Sequence, residues 1–268
     1  MSDLALFLRS GWQNIWKEKT ILLFGALSLV VNILGIVPFL KIFFESSLFL
    51  SFCSSLVNFF FLSIGYTGMT YAAYCAAIGK SISLQETLQV VKKNWGKIAA
   101  LYFWIAVLVV PFVGIVSIFS SRKLLQLNYG TNNIFLGCLF PLVIFSALPY
   151  FMMVEILING SGFRKSLKAA WSVFNDHFKM LALIGILFFG IQQIASLLFG
   201  MTATLILSNF QIASLARIDY LTPTLAFKKE IFYQLAMMIA QVFWLTYGAS
   251  VYIFAYVKYS AARSSAAV

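Results

Sequence analysis

Along residues 83–95 the apolar side chains recur at Leu84, Leu88, Val91 and Trp95. Steps of four, three and four predict one face of an α-helix. Ser83 followed by Glu86 has the spacing of a capping box, which supplies the helix with a start. The pattern repeats twice. Residues 4–16 carry the stripe Leu4, Leu8, Trp12 and Ile15, with Trp16, Lys17 and Lys19 beyond it. Residues 163–178 carry Phe163, Leu167, Trp171, Phe174 and Phe178, with Arg164, Lys165 and Lys168 opposite. Aligning Leu8, Leu84 and Leu167 gives offsets of 76 and 83, and pairs Arg9 with Lys168, Trp12 with Trp171 and Ile15 with Phe174.

Each amphipathic segment runs into sequence of a different kind. A helix needs about 20 apolar residues to cross the hydrocarbon core of a bilayer. Six segments qualify: Thr20–Leu40, a stretch near 52–77, Ile98–Phe119, a stretch near 133–157, one near 180–203, and Ile231–Val257. The second lies inside 34 consecutive uncharged residues from Ser46 to Gly79, and the fifth inside 37 from Met180 to Ala216. The first apolar stretch is too long for the core of a cleavable signal and is expected to remain as a span. Pro111, Pro141 and Pro149 fall within spans, where proline is expected to kink a helix. Small residues four apart, at Ala72/Ala76, Ala73/Ala77, Ser196/Gly200 and Ala236/Ala240, predict close helix contacts.

Charge gives these spans a direction. With the N-terminus inside, the inner segments hold 13 Lys and Arg residues and the outer segments 6. The positive-inside bias therefore predicts both termini in the cytoplasm. The expected architecture is all-α: a polytopic transmembrane bundle of six spans, occupying residues 1–268 as a single domain. It divides into three units of amphipathic helix plus transmembrane hairpin, approximately 1–79, 80–160 and 161–268. The amphipathic helices are expected to form a collar in the headgroup plane of the inner leaflet, apolar stripe inward and cations toward anionic lipid. Trp12, Trp16, Lys92, Lys93, Trp95, Lys97, Arg164, Lys165, Lys168 and Trp171 are the expected lipid-interface residues.

Composition agrees with this class. The chain is 62% hydrophobic and 10% charged, with mean hydropathy +0.92 and net charge +11. So few polar groups cannot cover a surface in water. The cations are divided among short loops, which favours anionic lipid over nucleic acid as their partner.

Candidate chemistry is sparse. Cys53, Cys75 and Cys138 stand alone in apolar runs and read as buried hydrophobes. His177 is the single histidine and lacks the companions a metal site needs. No P-loop, GxSxG, HExxH or dinucleotide fingerprint occurs, so no enzymatic activity and no cofactor are expected. Glu155 lies at the inner end of the fourth span, where an ion pair with Arg164 or Lys168 is the simplest expectation. With Asn58, Gln192 and Gln241 it makes up a candidate intramembrane polar site.

The stretches GYTGMTYAAYCAAIGKSISLQETLQVVKKNWGKI and LPYFMMVEILINGSGFRKSLKAAWSVFNDHFKM resemble a group of prokaryotic six-span integral membrane proteins of unknown function. That group is similar to the membrane domain fused to some glycerophosphodiester phosphodiesterases. The shared pattern is Pro149 and Glu155 at the end of the fourth span, then Ser166, Leu167 and Trp171 leading into the fifth. Glu155 stands where the family often has Asp. The resemblance implies a fold and the bacterial cytoplasmic membrane. The phosphodiesterase domain, with its catalytic histidine and carboxylates, is absent from this sequence. The expected role is a non-enzymatic protein that organises or stabilises a membrane assembly through anionic lipid or a protein partner. A transporter or lipid-handling permease is the alternative.

Overall fold

A computed structural model describes residues 3–28, 48–121, 146–191, 194 and 222–266, without the side chains of 48–58, 106, 108–121, 222–239 and 263–266. Among the described residues the protein is all-helical, with eight helices. These are α1 (Asp3–Lys17), α2 (Thr20–Ser28), α3 (Leu48–Ala77), α4 (Leu84–Ser121), α5 (Ala147–Asn159), α6 (Phe163–Asp176), α7 (Phe178–Ile191) and α8 (Thr222–Ala266).

Local chemistry sets the boundaries. Between α1 and α2 the Glu18 carboxylate accepts the Thr20 N–H at 3.2 Å, capping the start of α2. α3 stops where Gly79 turns left-handed at φ +78°, allowing Lys80 N–H to reach Cys75 O at 2.9 Å and Gly79 N–H to reach Ala76 O. Gly160, at φ +62°, ends α5 in the same way. Ser83 Oγ accepts the Glu86 N–H at 3.1 Å, so half of the expected capping box forms. The other half does not, because the Glu86 carboxylate is taken by Lys80 at 2.6 Å and Tyr71 at 3.1 Å. Pro149 lies in the first turn of α5, where its missing N–H has no intrahelical carbonyl to leave unpaired. The expected kink at that position is therefore not needed. Pro111 falls within the unbroken α4, and Pro141 lies outside the described residues.

Helices α3, α5 and α8 form a central triad, each packed on the other two. Thr70 donates to Met153 while Tyr66 stacks on Tyr150, so α3 and α5 run the same way. Ser146 bonds Tyr252 at 2.7 Å and Phe151 meets Tyr256, so α5 and α8 do too. The remaining helices follow a cyclic rule around the triad. α1 packs on α8 and α3, α4 on α3 and α5, and α6 on α5 and α8. α2 sits between α3 and α8. α7 lies against α8 through Phe188, whose ring meets Trp244, Tyr247 and Tyr252.

Small residues make the close approaches. Ala72, Ala73 and Ala76 are buried at the triad, as their spacing predicts. Gly65 and Gly68 bring α3 directly onto Ser28 and Phe24 of α2, and Gly11 brings α1 onto Val251 of α8. Ser196, Gly200 and the Ala236 side chain lie outside the description.

One described stretch, Ala240–Ala262 of α8, is long and apolar enough to cross a membrane; a second qualifies if α6 and α7, bent by 90° at His177, count together. The α8 stretch takes in the part of the expected span Ile231–Val257 whose side chains are described, and runs past Lys258. That cation is accommodated by Asp3 at 2.8 Å and by the Phe7 ring at 5.1 Å. The expected spans 20–40, 133–157 and 180–203 lie partly outside the described residues.

Candidate membrane interface

The three amphipathic segments share a burial pattern in the register their sequences suggest. At the positions of Gly11, Thr87 and Ala170 a small residue is buried in each. At Ile15, Val91 and Phe174 a larger apolar residue is buried. One residue after the small one, Trp12, Leu88 and Trp171 are 46, 47 and 47% exposed. Each expected stripe therefore splits in two. One edge packs on the triad, and the other, with Leu84, Trp95 and Leu167, faces outward. Polar residues on the packed edge bond within their own turns: Thr87 to Ser83 O, Asn94 to Val90 O and Ser166 to Phe163 O.

The expected flat collar is corrected for the first segment. α1 runs antiparallel alongside α8, with Asp3 at Lys258, Phe7 at Phe254, Gly11 at Val251 and Trp12 at Phe243 and Tyr247. The start of α4 likewise descends alongside α3, from Tyr71–Glu86 to Ser63–Trp95. Both segments have a buried face that α8 or α3 can satisfy only by lying lengthwise. α6 meets α7 at 90° and is the one that forms an elbow.

Among the expected interface residues, Trp12, Trp16, Lys92, Lys93, Arg164, Lys165, Lys168 and Trp171 are exposed. The other two make polar contacts within the protein. Trp95 donates its indole N–H to Ser63 Oγ at 2.9 Å and meets the Phe60 ring, leaving it 36% exposed. Lys97 Nζ donates to Gly160 O at 3.1 Å, placing its charge on the carbonyl end of α5, where the helix dipole favours a cation. Lys80 holds the Glu86 carboxyl below the usual glutamate range, with Tyr71 adding to the effect, and the same bond raises Lys80.

The expected Glu155 ion pair is replaced by neutral partners. Its carboxylate accepts from Tyr256 of α8 and from Asn159 Nδ2 at 2.7 Å, one turn along its own helix. Arg164 and Lys168 are exposed and make no ion pair among the described residues. The polar set does not gather around Glu155. Gln241 is exposed, and its distance from Tyr256 along α8 is about 22 Å. The Asn58 side chain and Gln192 lie outside the description. His177 caps the end of α6 and stacks on Tyr259 with ring centroids 3.5 Å apart.

A tyrosine cluster was not anticipated. Tyr102, Tyr66, Tyr150 and Tyr252 come from α4, α3, α5 and α8, with successive ring centroids at 5.3, 6.4 and 5.7 Å. Tyrosine is apolar enough to pass unnoticed within hydrophobic runs, and its spacing along four separate helices carries no signal of convergence.

Comparison of the chain with protein-family models, with curated proteins and with solved structures returns no match.

Proposed function

We propose that this protein is a non-enzymatic, six-span integral protein of the bacterial cytoplasmic membrane, with both termini inside, built from three repeated units. It organises or stabilises a membrane assembly by holding anionic lipid on the outward edges of its amphipathic helices. The observation that supports this most is the matched exposure of Trp12, Leu88 and Trp171 beside exposed cations on all three segments. A protein in water rarely leaves so many large apolar side chains uncovered at matched positions. The cyclic packing around α3, α5 and α8 supports the three-unit reading, since each unit's amphipathic helix packs on the final helix of the unit before it. The kinship with the phosphodiesterase-fused membrane domain belongs to the same proposal.

The test has two arms. Replacing Lys92, Lys93, Arg164, Lys165 and Lys168 with Gln is expected to weaken flotation with phosphatidylglycerol liposomes. A reporter fused after residue 268 is expected to signal from the cytoplasm. Unchanged flotation removes the lipid role, and an outside reporter reverses the topology.

A transporter or lipid-handling permease is the second reading, favoured by the tyrosine cluster. Four clustered phenols from four helices, three half-buried and Tyr252 buried, are unusual inside a membrane bundle, because tyrosine ordinarily sits where its hydroxyl reaches water. Solute or lipid flux in proteoliposomes, abolished by Tyr66→Phe with Tyr150→Phe, is the result that favours it.

A further inference from the structure

We propose that His177 is a pH-sensitive latch at the elbow between α6 and α7: protonated, it holds the elbow on Tyr259 of α8, and neutral, it lets the elbow open. The latch is separate from the lipid contact above and does not depend on it.

The elbow turns on one residue. α6 ends at Asp176, α7 begins at Phe178, and the chain bends by 90° between them. The hydrogen bonds around the bend meet at His177. Its N–H reaches Val173 O and Phe174 O, each at 3.3 Å, and its carbonyl accepts the N–H groups of Met180 and Leu181, each at 3.1 Å. Residues 173–182 contain neither glycine nor proline, the usual causes of a sharp bend. Nothing in the local sequence forbids a straighter path, so contacts made by the elbow decide how firmly it is held.

The ring contact has the geometry of a cation on an aromatic face. The His177 and Tyr259 centroids lie 3.5 Å apart, with planes 5° from parallel. Phe151 and Tyr256 nearby keep a more ordinary 4.9 Å and a tilt of 47°. Two neutral rings avoid direct face-to-face stacking, because like quadrupoles meet. An imidazolium reverses the sign, since its charge then lies over the electron-rich face of the phenol. Tyr259 is a fixed platform, 7% exposed, with Phe7 of α1 edge-on at 5.4 Å. His177 is half-buried, so water can deliver and remove the proton. As the residue that closes α6, it also places the positive charge at the carbonyl end of that helix, where the dipole favours it.

The charged groups of the surrounding elements do not oppose that charge. Asp176 adjoins it on α6 and Lys179 follows on α7. Lys258 of α8, next to Tyr259, is bonded to Asp3 of α1 at 2.8 Å. Glu155 of α5 is bonded to Tyr256, less than one turn before Tyr259. The side chain of Arg263, one turn beyond Tyr259, lies outside the described residues. The stabilisation belongs to the protonated ring, so it is present at acid pH and is lost as pH rises through the histidine titration.

Hydrogen exchange of the full chain in phosphatidylcholine nanodiscs tests the latch. The His177, Met180 and Leu181 amides are followed at pH about 5.5 and about 8, either side of the ordinary histidine value of about 6.5, with intrinsic exchange corrected for pH. Opening should be about tenfold more frequent at the higher pH, the combined size of a ring–cation contact and a helix-end charge. H177Q and Y259L should abolish the step, and Y259F, which keeps the ring face, should retain it. Wild-type opening that is the same at both pH values overturns the latch. So does a step that survives in H177Q, which would assign it to Asp3 or Asp176, or an equal step in peptides from α3, which would mean global loosening. If H177Q fails to insert, the tyrosine variants decide, because equal steps in Y259L and Y259F also overturn the proposal.

Discussion

Substituting Gly65 with alanine probes the closest approach of a glycine to another helix's backbone among the described residues. A Cβ on Gly65 would lie 2.5 Å from the Ser28 amide nitrogen and 2.6 Å from its Cα. Ordinary contact begins at 3.4 Å, so α2 and α3 must separate by about 0.9 Å, and no flexible side chain can absorb the difference because the obstacle is backbone. Gly68 compounds the constraint, with Phe24 already against its Cα. Overpacking of this kind costs about 1–3 kcal/mol. Against it stands the gain from replacing glycine in a helix, at most about 1 kcal/mol. Gly96 isolates that gain: it lies in α4, is exposed, and an added Cβ meets nothing within 4 Å. Gly96→Ala should therefore be neutral or slightly stabilising, and Gly65→Ala destabilising by about 1–3 kcal/mol relative to it. Thermal unfolding of the purified protein in mild detergent, followed by near-ultraviolet circular dichroism, measures the difference. Equal midpoints for the two variants would refute the α2–α3 packing described above.

At Glu155, a leucine removes the acceptor used by Tyr256 and Asn159 and should cost about 1–3 kcal/mol, whereas glutamine keeps an acceptor and should cost less than about 1 kcal/mol. Equal costs in a detergent melt would mean that the charge itself matters there. The Lys80–Glu86 pair predicts a pH window. Glu86 is lowered from 4.5, so its contribution is complete above that value and is lost as pH falls through the folded one. Lys80 is raised from 10.5, so its contribution is complete below that value and is lost as pH rises through the folded one. The midpoint difference between wild type and K80Q/E86Q should therefore be constant from about 4.5 to about 10.5 and shrink outside that range. A difference that does not shrink at acid pH rules this pair out as its origin.

The amphipathic segments were legible in the sequence because a 3.6-residue period reports which side chains share a face. The small–large register at Gly11 and Ile15, Thr87 and Val91, Ala170 and Phe174 follows from the same alignment that paired their tryptophans and leucines. What periodicity does not report is which edge of a broad apolar stripe meets protein. Leu84 and Val91 look alike in sequence, yet one is 46% exposed and the other 5%. The choice is made by Thr87 and Asn94, whose local backbone bonds let polar groups enter the packed edge. Glu155 misled for a related reason. A lone acid near Arg164 and Lys168 suggests an ion pair, but its partner Tyr256 is distant in sequence and chemically inconspicuous.

The cyclic packing makes its own prediction about chain order. If each unit begins and ends on the inner side, then the order of units along the chain is immaterial to topology. The unit order 2–3–1 should then fold as 1–2–3 does. The termini are already close, since Asp3 bonds Lys258 and α8 continues about 12 Å beyond it to Ala266. A Gly/Ser linker of about ten residues has a mean span of roughly 17 Å, enough to return to α1. Opening the chain at Ser81, exposed in the α3–α4 connection, cuts no helix. Opening it at Gly96 cuts α4 where Asn94 and Ile98 are buried on either side. Permutants opened at exposed connections generally survive, and those opened within packed helices do not. The Ser81 permutant should therefore insert, purify as a monodisperse species and melt within a few degrees of the parent, while the Gly96 permutant should fail. The Asp3–Lys258 bond is not what holds the ring closed, being exposed and worth at most about 1 kcal/mol. The closing contact is the burial of Phe7, Gly11 and Ile15 against α8 and α3, which the linker leaves intact. If the Ser81 permutant aggregates while a Lys258→Gln variant of the parent chain folds normally, α1 does not close a ring, and the three-unit architecture loses its main support.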